Sequence, residues 1–229
     1  MKLVHFAPSS AVASADINEQ TRSGGFQTEI YRNYGKRIFD ISLVLIAAPV
    51  VLPVMAILVV LVALGGSKPF YSQERVGRNG RLFKMWKLRT MVPDAEKRLK
   101  EYLEGNSDAQ AEWNSKQKLA LDPRITSIGF VLRKSSLDEL PQLWNVLLGE
   151  MSLVGPRPMM PCQRTLYPGN THFRSRPGIT GAWQISERNQ TSFAARAKYD
   201  TEYDTLLSFS CDVGILAKTV GVVLRAKGC

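Results

Sequence analysis

From Ile41 to Leu64 the chain runs 24 residues with Ser42 as its only polar side chain. The hydrocarbon core of a bilayer is about 30 Å thick and is crossed by about 20 apolar helical residues. Any fold for this chain must therefore accommodate a helix that belongs in lipid; a buried helix of a soluble protein is disfavoured at this length. Pro49 and Pro53 interrupt the run, and each removes a backbone donor and crowds the carbonyl four residues back. Both flanks are basic, with Arg32, Lys36 and Arg37 before the run and Lys68, Arg75, Arg78 and Arg81 after it. Basic residues favour the cytoplasmic side, so neither end has a reason to cross. A helix that enters, breaks near Pro49 and returns to the same face satisfies both facts; a plain span kinked at proline is the alternative.

Charge narrows the partners. Thirty Lys and Arg against twenty Asp and Glu leave a net +10, which suits nucleic acid, anionic lipid or phosphorylated small molecules. Cys162, Cys211 and Cys229 show neither a disulfide framework nor a CxxC clip, and two histidines do not suggest a histidine-rich zinc site. A reducing compartment fits. Residues 1–30, rich in Ser, Ala, Gly and Thr, read as a disordered tail without the apolar region of a signal peptide. The expected organisation is this tail, a re-entrant membrane helix over 31–66, and one domain over 67–229.

Within that domain Asn79-Gly80 marks a hairpin between Phe70–Gly77 and Arg81–Arg89. Ala95–Glu104 reads as a short charged helix and Gly105–Gln117 as a polar excursion. Leu137, Leu140, Leu143, Trp144, Leu147 and Leu148 recur at helical spacing and stop at Gly149. Near the C-terminus Val213, Leu216, Ala217, Val220, Val223 and Leu224 share a helical face, with Lys218, Arg225 and Lys227 nearby. That helix suits a membrane surface or an ordinary core equally. The fold class is α+β: a mostly helical membrane-interface domain with a small antiparallel β hairpin and an N-terminal re-entrant membrane helix.

Asp138-Glu139 are adjacent carboxylates at the start of the helical pattern. Ser136 and Glu139 have the spacing of a capping box, but Pro141 would then fall where its missing N–H breaks a real helical bond. With Asp138 as the cap, Pro141 falls in the first turn and both carboxylates sit at the positive end of a helix, where phosphate binds readily. Two carboxylates beside a phosphate suggest a nucleophile and a Mg²⁺ ligand; capping remains the competing reading. In Gly155-Pro156-Arg157-Pro158 two prolines restrict one arginine, as bidentate phosphate binding requires; a surface turn explains the same residues. Arg133 lies five residues before Asp138. Lys87 and Arg89, beside Trp86, are either a basic-aromatic nucleotide strand or ordinary exposed charges. There is no GxxxxGK[ST] loop, no GxGxxG, no GxSxG elbow and no Asp-x-Asp.

Six stretches in order resemble the bacterial polyprenyl-phosphate sugar-1-phosphate transferases, the small monotopic phosphoglycosyl transferases. They are Lys36–Asp40 (KRIFD), Lys87–Met91 (KLRTM), Asp122–Thr126 (DPRIT), Arg133–Gln142 (RKSSLDELPQ), Ser152–Pro158 (SLVGPRP) and Arg176–Gln184 (RPGITGAWQ). The resemblance covers about Tyr34 to Lys227, and the C-terminal third is most similar to the exopolysaccharide-initiating branch.

The resemblance implies that Asp138 attacks the β-phosphorus of a UDP-sugar, expels UMP, and passes galactose- or glucose-1-phosphate to undecaprenyl phosphate. It implies that Glu139, with Asp138, helps bind Mg²⁺, that Arg133 and Arg157 hold phosphate oxygens, and that Lys87 and Arg89 lie near the nucleotide. The implied partners are a UDP-sugar, undecaprenyl phosphate and membrane lipids at the cytoplasmic face of the bacterial inner membrane, with no nucleic acid; a homo-oligomer is compatible with this. Two departures stand out. Ala48-Pro49 occupies the place of the family's Ser-Pro break, and Ile185–Asn189 replaces its commoner Ser-Gly-Arg pattern. A non-catalytic, basic, membrane-tethered binding or scaffold protein is the rival; it needs no paired carboxylates.

Overall fold

The computed structural model describes residues 28–66, 68–116, 119, 121–186 and 193–224. The expected tail lies outside these apart from residues 28–30, which are already helical. Glu187–Asn189, Arg225 and Lys227 also lie outside. Contacts divide the chain into two compact units. Among the described residues, unit one takes those within 28–48, 73–85 and 142–222, and unit two those within 49–72, 86–141 and 223–224.

A π-helical turn, Tyr31–Gly35, leads into helix α1, Lys36–Leu64. The helix is long and apolar enough to cross a membrane. Leu45, Ile46, Val50, Leu52, Ile57 and Leu64 are all exposed on it, a surface that a water-soluble protein does not leave uncovered. Pro49 and Pro53 lie inside α1, whose helical backbone continues past both. Any change of direction at Pro49 is therefore a bend within a helix, not the interruption expected from sequence.

In unit one the polar root of α1 is tied down by buried charge. Lys36 Nζ lies 2.5 Å from Asp212 Oδ2. Tyr31 donates to the same oxygen and Tyr203 to Asp212 Oδ1, each at 2.7 Å. Asp40, fully buried, accepts from Ser152 Oγ and the Leu153 amide at 3.0 Å. The KRIFD stretch is thus a structural root for the apolar helix. Its Arg37 donates to the carbonyls of Val146 and Leu147 at the end of helix α5, Gln142–Leu148, where a cation is favoured. Gly149 follows at φ +81, the left-handed stop expected there.

Strands β1, Phe70–Val76, and β2, Leu82–Leu88, form the expected antiparallel hairpin. Asn79 and Gly80 both take positive φ in its turn, as two-residue hairpins require. An unexpected second sheet pairs β3, Ser152–Val154, in parallel with β4, Gly178–Thr180. The glycines explain why these strands come so close: a Cβ on Gly178 would lie 2.1 Å from the Gly155 amide nitrogen, and one on Gly181 2.1 Å from the Gly155 carbonyl. Short helix α6, Ala182–Ile185, follows β4, then α7, Arg196–Leu206, and α8, Phe209–Leu224. Helix α8 buries Cys211, Asp212 and Ile215 and leaves Val213 and Val220 exposed. Its core face is therefore not the face drawn from sequence.

In unit two Leu58, Val59 and Val62 of α1 pack with Leu88, Ile128, Leu132 and Leu137. Helix α2 spans Ala95–Glu104 as expected. The polar excursion proves to be a helix, α3, Ser107–Lys116, whose first turn is capped by Asn106, which accepts the Ala109 amide at 3.0 Å. Helix α4, Ser127–Ser135, is capped by Thr126. It approaches Thr90 so closely that a Cβ on Gly129 would lie 2.0 Å from the Thr90 carbonyl oxygen.

Candidate active site

Asp138 and Glu139 do not begin α5. They form a 3₁₀ turn, Leu137–Glu139, reached from α4 through Ser136 at φ +58. Pro141 is the physical reason. It has no amide to return to the Leu137 carbonyl, so the turn closes with three-residue bonds and α-helical bonding starts at Gln142. Ser136 makes no side-chain cap, which removes the capping-box reading. A left-handed non-glycine residue beside a carboxylate pair is the kind of strained position that collects at functional sites.

Lys87, near the end of β2, reaches both carboxylates. Its Nζ lies 2.7 Å from Glu139 Oε1 and 3.4 Å from Asp138 Oδ2. Asp138 is buried, and burial pushes its carboxyl above the ordinary range; Lys87 opposes that rise, Glu139 adds to it and Arg133 opposes it. Arg133, on α4, donates to Thr90 Oγ1 at 2.9 Å, held near the pair by the close Gly129–Thr90 approach. Asp122 belongs to the same charge cluster. Burial raises its carboxyl, but the hydrogen bonds and charge of Arg124, together with Arg133, hold it below the ordinary value.

Arg89 stands apart from the carboxylate pair. Its Nε donates to the Lys68 carbonyl and its guanidinium lies 5.8 Å from the Tyr71 ring centre, so it braces the start of β1 instead of joining the carboxylates. The strand ends at Leu88, one residue short of where its two-residue period would place Arg89 on the face of Lys87.

Among the described residues no group of three or more His, Cys, Asp and Glu side chains could hold a metal. Two adjacent carboxylates remain, a hard-oxygen donor set that fits Mg²⁺ when substrate oxygens complete the shell. The arrangement can hold a nucleophilic carboxylate, a metal-binding carboxylate and cations for a phosphate.

Arg157 lies in unit one. It follows β3, between Pro156 and Pro158, and its guanidinium sits 6.0 Å from the ring centre of Trp183 on α6. The two glycine-rich motifs meet in the β3–β4 pair, which explains why Arg157 and Trp183 share a partly enclosed cavity. Arg196, His172, Tyr167 and Asp200 also line it. Arg196 carried no recognisable signal in the sequence, and Trp183 stood inside a quoted motif without an assigned role.

The chain matches the family model of bacterial sugar transferases over residues 31–226. It is 47% identical over 195 residues to a UDP-galactose-lipid carrier transferase of Erwinia amylovora, covering 84% of this chain and 41% of that protein. It is 44% identical over 196 residues to the exopolysaccharide production protein ExoY of Rhizobium meliloti, covering 84% and 87%. It is 43% identical over 195 residues to an undecaprenyl-phosphate galactose phosphotransferase of Salmonella typhimurium, again 84% and 41%. The chain thus spans under half the length of two of these relatives and most of the third. On the match over nearly all its described residues, this chain belongs to the bacterial sugar transferase family.

Proposed function

We propose that this protein transfers galactose- or glucose-1-phosphate from a UDP-sugar to undecaprenyl phosphate, the initiating step of exopolysaccharide or another surface glycan. The observation that carries the reading is the buried Asp138 carboxylate, paired with Glu139 and facing the Lys87 ammonium. Asp138 supplies the nucleophile. One of its oxygens bonds to the β-phosphorus as the bond from that phosphorus to the bridging oxygen breaks, and UMP leaves with the electron pair. An oxygen of the lipid phosphate then attacks the same phosphorus, and the acyl phosphate bond breaks to restore the carboxylate. Glu139, with Asp138, would hold Mg²⁺, which when bound neutralises charge on diphosphate oxygens. Lys87 orients both carboxylates and opposes the effect of burial on the Asp138 carboxyl. Arg133 and Arg157 hold phosphate oxygens.

The acceptor lives in lipid and the donor in water, so the reaction belongs at the interface. Leu137, next to Asp138, packs with Val62 of α1, which supports that placement. A re-entrant α1 with both ends at the cytoplasmic face is supported by the basic flanks and by Pro49 and Pro53 within the helix. Cysteine labelling near Arg32 and Lys68 tests this: periplasmic labelling of one site alone contradicts it.

Purified full-length protein in detergent, given undecaprenyl phosphate and a panel of UDP-sugars, is expected to release UMP with UDP-galactose or UDP-glucose. Absence of UMP with every donor contradicts the activity.

A further inference from the structure

Within unit two, residues 90–92 run beside residues 124–126 as a short ladder. The Thr126 amide donates to the Thr90 carbonyl at 3.0 Å, the Val92 amide donates to the Arg124 carbonyl at 2.9 Å, and Met91 pairs antiparallel with Ile125 between them. Arg124 is anchored in turn, since its Nε and Nη2 donate to the two carboxylate oxygens of Asp122 at 2.8 and 2.6 Å. The backbone of Thr90 is therefore held against the segment that caps α4 through Thr126. Threonine adds stiffness of its own, because two heavy atoms on Cβ restrict its first side-chain torsion. Thr90 is also buried, so its hydroxyl is a fixed acceptor shielded from water.

That acceptor meets α4. Gly129 and Arg133 stand four residues apart and share a helix face. With no Cβ at Gly129, the Thr90 carbonyl lies close against this face. One turn further on, the Thr90 hydroxyl accepts the Nε–H of Arg133 at 2.9 Å. Nε is the guanidinium nitrogen next to the aliphatic stem. A bond there limits rotation of the planar group and so sets where both terminal nitrogens point; lysine has no equivalent atom. The charge placed in this way acts on Asp138, where it opposes the effect of burial.

We infer that Thr90 is a positioning residue for the transfer: its hydroxyl orients the Arg133 guanidinium for the diphosphate of the donor, and Gly129 is the gap that admits it. The inference rests on the transferase reading for the identity of that anion. The hydroxyl touches neither substrate nor the reacting carboxylate in this account; it acts through Arg133.

The test is a double-mutant cycle on the full-length chain in detergent: Thr90→Val, Arg133→Lys and the two together, each checked by thermal melting. Valine keeps the shape of threonine and removes the acceptor. Two quantities are followed, kcat/KM for the UDP-sugar and the calorimetric Kd of UDP, which carries the diphosphate and has no sugar to transfer. Thr90→Val should lower kcat/KM and raise the UDP Kd by roughly 10-fold each, and Thr90→Ser, which retains the hydroxyl, should keep most of both. In the Arg133→Lys background Thr90→Val should change either quantity by less than about 2-fold, because the partner of the hydroxyl is already gone. Equal losses from Thr90→Val in both backgrounds, or no loss in either, overturn the inference. If Thr90→Val does not fold, Thr90→Ala takes its place in the cycle on the same readouts. Wild-type protein that binds UDP but releases no UMP from any UDP-sugar overturns the transferase reading, and the UDP cycle still decides the role of Thr90. Wild-type protein that does not bind UDP overturns both.

Discussion

Lys87 Nζ stands 2.7 Å from Glu139 Oε1, so an ammonium on the hairpin holds one of two adjacent carboxylates on a turn 52 residues later. The same ammonium reaches Asp138 and opposes the effect of burial on it. Removing it in Lys87→Ala should raise the Asp138 pKa further. The acid limb of the pH–rate profile should then move to higher pH, and turnover at pH 7 should fall by roughly 10²-fold. An unshifted profile would show that Lys87 does not tune Asp138.

Asp138→Asn should separate stability from activity. The folded carboxyl titrates above its unfolded value, so its favourable contribution is present below the unfolded pKa and is lost as pH rises through the folded one. Above the folded pKa the ionised group therefore detracts from folding. The neutral amide should raise Tm at pH values above the folded pKa, while turnover falls at least about 10³-fold. Calorimetry at pH 7 and pH 4 checks the sign, since the gain should shrink at the lower pH.

The root of α1 gives a prediction independent of catalysis. Lys36→Met leaves Asp212 buried with only the Tyr31 and Tyr203 hydroxyls. Breaking one side of a buried pair costs about 3–5 kcal/mol. Lys36→Met/Asp212→Leu should recover much of that loss in thermal melts.

Much of this was legible in the sequence, for physical reasons. The apolar run, the Asn79-Gly80 turn, the Gly149 stop and the Ala95–Glu104 helix each rest on local chemistry, and each stands where expected. Asp138-Glu139 stood out as neighbouring carboxylates just before a proline, with capping as the competing reading. The β3–β4 pair was not legible, since parallel pairing of two three-residue strands depends on contacts 26 residues apart in register, Ser152 with Gly178. The brace of Arg89 on the Lys68 carbonyl was not legible because it follows from where β2 ends, and Arg196 was not singled out because only the fold brings it to Trp183.

Metal dependence should divide the carboxylates. Chelation of Mg²⁺ should abolish turnover, and Glu139→Gln should be slow but partly rescued by excess Mg²⁺, whereas Asp138→Asn should not be rescued at any concentration. Equal rescue of both variants would contradict their distinct roles.

The central claim is the covalent step on Asp138, and its most direct measurement is UMP release before any lipid acceptor is added. Quenched-flow mixing of protein with the UDP-sugar alone should give a burst of up to one UMP per site, with a sugar-phosphate mass adduct on the peptide carrying Asp138. Asp138→Asn should show neither. UMP that appears only once undecaprenyl phosphate is present, with no adduct trapped on that peptide, would contradict the account and assign the attack to the lipid phosphate itself.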